Sequence, residues 1–308
     1  MTKIDLTGRV GIVTGAGRGL GRSYALLLAD RGAAVVVNDV DDDEVDAVVS
    51  EIDSRGGRAV RATASVATPE GGAEIVEAAI AAFGQVDLFI HNAGVVFPNR
   101  FADQPIEQVR QTLDVHLFGA WHVGQPAWRD MTARGYGRVV LTSSMAQFGH
   151  YRQPAYASAK TAVIGLMRSL AHDAEDQGLD IKVNAICPLA GTRLALPAAK
   201  EAWGDLMDPA NVAAVVAYLL SSECPVNGEI IHAGGSHAAR GILGQTPGWF
   251  SGQPGLTPED VRDHWTQVMA SADLILPTSG ADQMQIVERT VLGHVVPPSA
   301  QHPLQQAT

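Results

Sequence analysis

The chain has 308 residues, 46% of them hydrophobic, enough to bury a sizeable core in one large α/β domain or two small ones. Its 33 acidic and 22 basic side chains leave a net charge of −11, which repels nucleic acid and anionic membrane, and no basic run offsets it. Cys187 and Cys224 stand alone without zinc-ligand spacing, so neither a disulfide framework nor a structural metal is expected. No apolar leader or run of about 18 apolar residues is present, which predicts a cytoplasmic protein.

In chain order, Arg9 to Thr14 reads as a buried strand running into Gly15-Ala16-Gly17-Arg18-Gly19-Leu20-Gly21. Ser23 to Arg31 has helical periodicity with Gly32 as its stop, and Ala33 to Val37 is a second strand ending at Asn38-Asp39. Strand, glycine loop, helix and strand make one right-handed βαβ unit with parallel strands. The alternation continues with a helix over Asp43–Ser54, a strand over Arg58–Thr63, a helix over Pro69–Phe83 and a strand over Val86–His91. A long helix from Pro105 to about Arg134 follows, then a strand around Val139–Leu141 and a helix from Pro154. Ile181–Cys187, a helix over Asp208–Ser221 and a last strand, Glu229–Ala233, complete the series.

Seven strands alternating with helices predict an α/β fold: a Rossmann-type, doubly wound parallel sheet in a single domain over residues 1–240. Residues 241–308 differ in character. A Gly/Pro-rich loop, a helix over Pro258–Ala270 capped by Thr257 and a frayed end predict a C-terminal extension, packed on the domain or on a partner subunit.

Gly15-x-x-x-Gly19-x-Gly21, between strand and helix, predicts a phosphate cradle: the glycines admit a pyrophosphate and the helix N-terminus adds partial positive charge. Leu20 stands where a G-x-G-x-x-G spacing would put its last glycine. Asp39, 18 residues after Gly21, would accept hydrogen bonds from ribose hydroxyls and repel a 2′-phosphate, which favours NAD; Arg18 beside the loop could pair with that phosphate and keeps NADP open. Asn92-Ala93-Gly94 again offers backbone beside the central crevice. Tyr156 and Lys160 lie four apart on one helix face. A cation within about 4–6 Å would draw a phenol down from its usual pKa of about 10, and a hydroxyl from Ser144 or Ser143 could bind the same substrate oxygen. His232 and His237 flank Gly234-Gly235, but no carboxylate or cysteine completes a metal set.

Thr14-Gly15-x-x-x-Gly19-x-Gly21, Asn92-Ala93-Gly94, Ser144 and Tyr156-x-x-x-Lys160, in this order and at these distances, resemble the short-chain dehydrogenase/reductase family over about residues 5 to 240. The resemblance implies a nicotinamide cofactor and hydride transfer between it and a carbinol or carbonyl carbon. Tyr156 would be the acid/base, Lys160 would lower its pKa and hold the nicotinamide ribose, and Ser144 would orient the substrate oxygen. Val115-His116-Leu117-Phe118-Gly119, Pro188-Leu189-Ala190-Gly191-Thr192-Arg193 and Thr257-Pro258-Glu259-Asp260 resemble the (3R)-hydroxyacyl-CoA and 17β-hydroxysteroid dehydrogenase branch, found as one part of peroxisomal multifunctional enzymes.

His116 stands where the family commonly has an Asn that anchors a water, and either relays protons or merely packs. Ser65-Val66 replaces an Asp-Val that often holds the adenine, and Pro188 and Thr192 would border the nicotinamide. The expected activity is NAD-dependent interconversion of a secondary alcohol and a ketone on a bulky hydrophobic substrate, by a homodimer or homotetramer. A reductase using NADPH and an inactive nucleotide-binding regulator are the alternatives.

Overall fold

The computed structural model describes residues 3–191, 201, 204–252 and 255–295, in two compact units that divide after Gly241. The first holds eight strands: β1 (Val10–Thr14), β2 (Ala34–Asn38), β3 (Arg58–Ala62), β4 (Leu88–His91), β5 (Tyr136–Thr142), β6 (Asp180–Pro188), β7 (Ile230–Gly234) and β8 (His237–Gly241). They form one sheet in the order β3-β2-β1-β4-β5-β6-β7-β8, with β1 to β7 parallel and β8 antiparallel to β7. Ile12 of β1 is in register with Val36 on one side and Phe89 on the other, and every residue of β1, β2 and β4 is buried. Such apolar runs fit strands covered on both faces.

Among the described residues ahead of Gly241, the cover comes from seven helices and a π-helical turn. They are α1 (Gly19–Asp30), α2 (Asp42–Ser54), α3 (Pro69–Phe83), α4 (Ile106–Leu113), α5 (Gly119–Arg134), α6 (Pro154–Asp176) and α7 (Pro209–Leu219). One core cluster sets Tyr24, Leu28, Val45, Ile52, Val212 and Val216 of α1, α2 and α7 against the sheet; the other does the same with Ile75, Val123, Met131, Val163 and Met167 of α3, α5 and α6. Each of these large aliphatic groups contributes about 1.5–3 kcal/mol by leaving water. Local signals agree with the tertiary ones: the Thr68 hydroxyl accepts from the Gly71 N–H at 3.1 Å, Pro69 opens α3, and Gly84 closes it at φ +83. The strand order reverses between β1 and β4, so a crevice opens at their carboxyl ends.

The structure departs from the sequence expectation in three places. The long helix is interrupted by a π-helical turn over Asp114–Phe118 that carries His116, a feature without a composition signal. An eighth strand follows the expected seven through a two-residue turn in which Gly235 and Ser236 both have positive φ. Its residues lie at a half-exposed edge without apolar alternation, which is why no strand was expected there. In the second unit, the helix expected over Pro258–Ala270 is two short ones, α8 (Pro258–Asp263) and α9 (Trp265–Val268), parted at His264, whose ring stacks on Trp249 at 3.9 Å. A further helix, α10 (Gly280–Val295), lies beyond them. Among the described residues no helix is long and apolar enough to cross a membrane.

One buried carboxylate ties the amino ends of the central strands. Asp87 is fully buried, accepts from the Val10 N–H at 2.9 Å and from Gln85 Nε2 at 2.6 Å, and pairs with Arg134 at 2.8 Å and Arg9 at 3.6 Å. Removing it leaves Arg134 with Asp130 alone and strips the buried Val10 N–H of its acceptor. Asp87→Ala is therefore expected to cost roughly 3 kcal/mol, read as a lower urea midpoint with an unchanged slope.

Candidate active site

The carboxyl ends of β1, β2, β4, β5 and β6 carry the residues singled out from the sequence. At β1, Gly15 and Gly19 hold φ of +63 and +57, and a Cβ on Gly21 would lie 2.0 Å from the Gly15 carbonyl oxygen. Only glycine fits this approach. Helix α1 starts inside the loop at Gly19 with no side-chain cap and no acid in its first turn, so its N-terminus offers uncompensated donors to an anion. Leu20 is half-buried on the first core cluster and serves packing.

The second loop is stapled to the first. The Asn92 amide donates to the carbonyls of Thr14 at 3.1 Å and Gly15 at 3.0 Å, while the Thr14 hydroxyl accepts from the N–H groups of Asn92 at 3.0 Å and Ala93 at 3.1 Å. His91 completes the staple. Its Nε2 lies 3.1 Å from the carbonyls of Val115 and His116, so it carries the proton, and Nδ1 accepts from the Thr14 hydroxyl at 3.3 Å. Burial, seconded by the Lys160 charge, lowers the His91 pKa to about 3 and keeps the ring neutral. Neither Thr14's nor His91's positioning role was expected; the only signal was a polar residue closing an apolar strand.

Asp39 lies at the end of β2, where its carboxylate accepts from the Gly17 N–H at 3.1 Å and the Val40 N–H at 2.8 Å. Arg18 does not stand free beside it: its guanidinium pairs with Glu44 at the start of α2. Ser65 accepts from the Ala67 N–H at 3.2 Å, and buried Val66 receives the His122 ring through its carbonyl at 2.9 Å. Gly94 lies under the His116 ring, where a Cβ would meet Cε1 at 2.5 Å, and Pro188 ends β6. Thr192 and Trp203 fall outside the described residues. The glycine cradle, free helix start and ribose-height carboxylate fit a dinucleotide.

At β5 the two serines separate. Ser143 is buried and donates to the Lys160 carbonyl at 2.7 Å, whereas Ser144 is half-exposed, accepts from the Ala146 N–H at 3.1 Å and lies beside the phenol of Tyr156. The Lys160 ammonium, fully buried, donates to the Thr142 carbonyl at 2.6 Å and lies 5.6 Å from the Tyr156 ring centre. Burial lowers its pKa to about 7. Burial also pushes the Tyr156 phenol up from its ordinary value, and the Ser144 hydrogen bond opposes this. In the protein by itself the direction of the phenol's shift is set by desolvation.

His116 presents its ring edge to Tyr156 at 5.2 Å and 84°. Its Nε2 lies 3.0 Å from the Val95 nitrogen and 2.8 Å from the Val95 oxygen, while buried Nδ1 has no protein partner. Burial and the Lys160 charge hold the imidazole well below its ordinary pKa, so it is neutral. A residue missed from the sequence, Cys187, lies close by: its sulfur accepts from Gln147 Nε2 at 3.2 Å, and burial pushes its thiol pKa up. His232 meets Gln147 at 3.3 Å and stacks on Phe148; His237 is exposed. No cluster of three potential metal ligands occurs among the described residues.

A crevice at a strand-order reversal, a glycine cradle and a Ser-Tyr-Lys group define a nucleotide-linked oxidoreductase site. The profile of the short chain dehydrogenase family matches residues 9–200, and the chain belongs to that family. It is 38% identical to a short-chain type dehydrogenase/reductase of Mycobacterium tuberculosis, over 84% of this chain and 93% of that one. The solved full-length peroxisomal multifunctional enzyme type 2 of Drosophila melanogaster is similar at a TM-score of 0.80 and 31% identity, over 94% of this chain but 50% of that chain. A 7α-hydroxysteroid dehydrogenase solved with NADH and 7-oxo glycochenodeoxycholic acid is similar at a TM-score of 0.70 and 29% identity, over 76% of this chain and 97% of that one.

The Lys160 shift has a thermodynamic consequence. Between about pH 7 and its unfolded value near 10.4 the unfolded chain binds the proton and the folded chain does not, so the cost of burying the charge fades as pH rises through this window. Lys160→Met is expected to melt higher than the unsubstituted protein at pH 6, with a gap that narrows toward pH 10 in paired thermal scans.

Proposed function

We propose that the protein is an NAD-dependent dehydrogenase that interconverts a secondary alcohol and a ketone. The observation that carries this reading is the Ser144 hydroxyl and the Tyr156 phenol side by side near the buried Lys160 ammonium, two strands along the sheet from the glycine cradle. A bound nicotinamide cofactor supplies the hydride acceptor and, when oxidised, a positive charge. Gly15, Gly19 and the start of α1 would hold its pyrophosphate, Asp39 its adenosine ribose, Ser65 and Val66 its adenine, and Asn92, Ala93, Gly94, Pro188 and Thr192 its remaining edge.

The Ser144 hydroxyl binds the substrate oxygen, and the Tyr156 phenolic oxygen takes the hydroxyl proton. Lys160, cationic below about pH 7 and held by Thr142, stabilises the phenolate electrostatically. His116 Nδ1, buried without a protein partner, is the atom of this chain placed to exchange a proton beyond the tyrosine. NAD is favoured over NADP because Asp39 would repel a 2′-phosphate while Arg18 is already engaged by Glu44.

The substrate proposed is a bulky hydrophobic one, a 3-hydroxyacyl-CoA or a hydroxysteroid. It is supported by similarity to a multifunctional enzyme and to a hydroxysteroid dehydrogenase solved with a 7-oxo bile acid. Residence in the cytoplasm and assembly as a homodimer or homotetramer through α4, α5 and α6 belong to the same proposal. Phe118 and Trp121, both 47% exposed at the start of α5, support the assembly, and a monomer in sedimentation would refute it.

Two results test the mechanism. Tyr156→Phe is expected to lower kcat by at least about 10³-fold while NADH binding, followed by fluorescence, stays within about twofold; retained turnover would sink the acid/base assignment. Asp39→Ala is expected to narrow the preference for NADH over NADPH by roughly tenfold in kcat/KM, and tighter binding of NADPH by the unsubstituted protein would refute the cofactor assignment.

A further inference from the structure

The region 189–207, which follows the catalytic strand β6, has few basic residues to receive the phosphates of a nucleotide-bearing thioester. The opposite wall of the site supplies them. From Val95, whose backbone meets the His116 ring beside Tyr156, the chain runs outward to Asn99, whose N–H donates to the Arg152 carbonyl at 2.8 Å. Arg100 and Arg152 are thereby brought together where two loops meet, Arg152 four residues before Tyr156. Five residues of extended chain span at most about 17 Å, so the pair lies within reach of a long substrate held at Tyr156.

Both side chains are exposed, and among the described residues neither has an ion-pair partner, although Asp103 and Glu107 follow on the same stretch. Most other arginines of this acidic protein are engaged by carboxylates, Arg22, Arg55, Arg61 and Arg134 among them. Arg152 also holds φ +60, a left-handed conformation that residues with a Cβ rarely adopt. Next to it Tyr151 is 77% exposed and stacks on His150 at 4.9 Å, leaving an exposed aromatic face.

We infer that Arg100 and Arg152 form an anion-binding rim that holds the phosphates of an acyl thioester's nucleotide carrier, with Tyr151 offering a face to its base. Paired guanidiniums suit phosphate, and exposed aromatic faces suit bases. This rests on the proposed alcohol dehydrogenase activity and selects, of its two substrate classes, the thioester over the neutral steroid. Arg100 and Arg152 determine specificity and take no part in the proton or hydride transfer.

The test uses the full chain saturated with NADH, so that the glycine cradle is filled, and titrates coenzyme A by calorimetry. Arg100→Gln and Arg152→Gln are each expected to weaken binding at least tenfold, Arg152→Lys less than threefold, with melting temperatures unchanged. Turnover then separates the layers. The variants are expected to lose kcat/KM on a 3-hydroxyacyl-CoA but not on the same acyl group carried by N-acetylcysteamine. Equal coenzyme A binding by unsubstituted and Gln proteins, or no binding, overturns the rim. Equal use of both thioesters by the unsubstituted protein overturns the rim and leaves the dehydrogenase reading standing; turnover of hydroxysteroids with neither thioester overturns the thioester class itself.

Discussion

An ammonium group shut off from water is costly to hold, and the site is arranged around one: Lys160, fully buried, with the Thr142 carbonyl 2.6 Å from its nitrogen. The bond is answered by another, from the Ser143 hydroxyl to the Lys160 carbonyl at 2.7 Å. Together they cross-link the end of β5 to the second turn of α6, so the element bearing Ser144 cannot shift without moving the one bearing Tyr156. The same charge reaches further. It depresses the imidazoles of both His91 and His116, which burial has already made hard to protonate. A single cation thus fixes the protonation state of the residue that joins β4 to the glycine loop and of the residue that faces the phenol.

Burial acts on the tyrosine and the lysine in opposite directions of pKa and to one effect: it favours the neutral form of each. The resting pair is therefore closer to phenol and amine than to phenolate and ammonium. A unit positive charge about 6 Å away is worth about 3 kcal/mol at an effective dielectric of ~20, or about 2 pKa units, in the direction of phenolate. Burial of the Tyr156 phenol is a property that the i, i+4 spacing of Tyr156 and Lys160 does not disclose, because spacing reports direction and not desolvation.

Much of the fold was legible because its strands are buried on both faces and its helices carry their own caps. Pro69 and Gly84 bound α3 where the sequence put them, and β1 ends at the Thr14 expected of it. What the chain concealed depends on contacts between distant segments. The choice between Ser143 and Ser144 rests on which hydroxyl finds the Lys160 carbonyl 17 residues away. The importance of Thr14 comes from the two N–H groups it accepts across 78 and 79 positions. The π-helical turn that aims His116 has no local signature, and β8 is an edge without apolar alternation. Arg18, ambiguous in the sequence between NAD and NADP, is claimed by Glu44, a residue 26 positions on.

The fates of the arginines are the clearest division in the charge pattern. With 33 acids to 22 bases, a guanidinium on this surface has more carboxylates around it than the reverse, so an ion pair is its ordinary state. Arg18 at the cradle obeys this through Glu44. Arg100 and Arg152, beside the Asn99–Arg152 backbone bond, do not, and among the described residues Arg31, Arg58, Arg110 and Arg129 share that state. The proposed charge pattern sets a carboxylate, Asp39, at the end of β2 and two exposed guanidiniums, Arg100 and Arg152, where the Asn99 and Arg152 backbones meet.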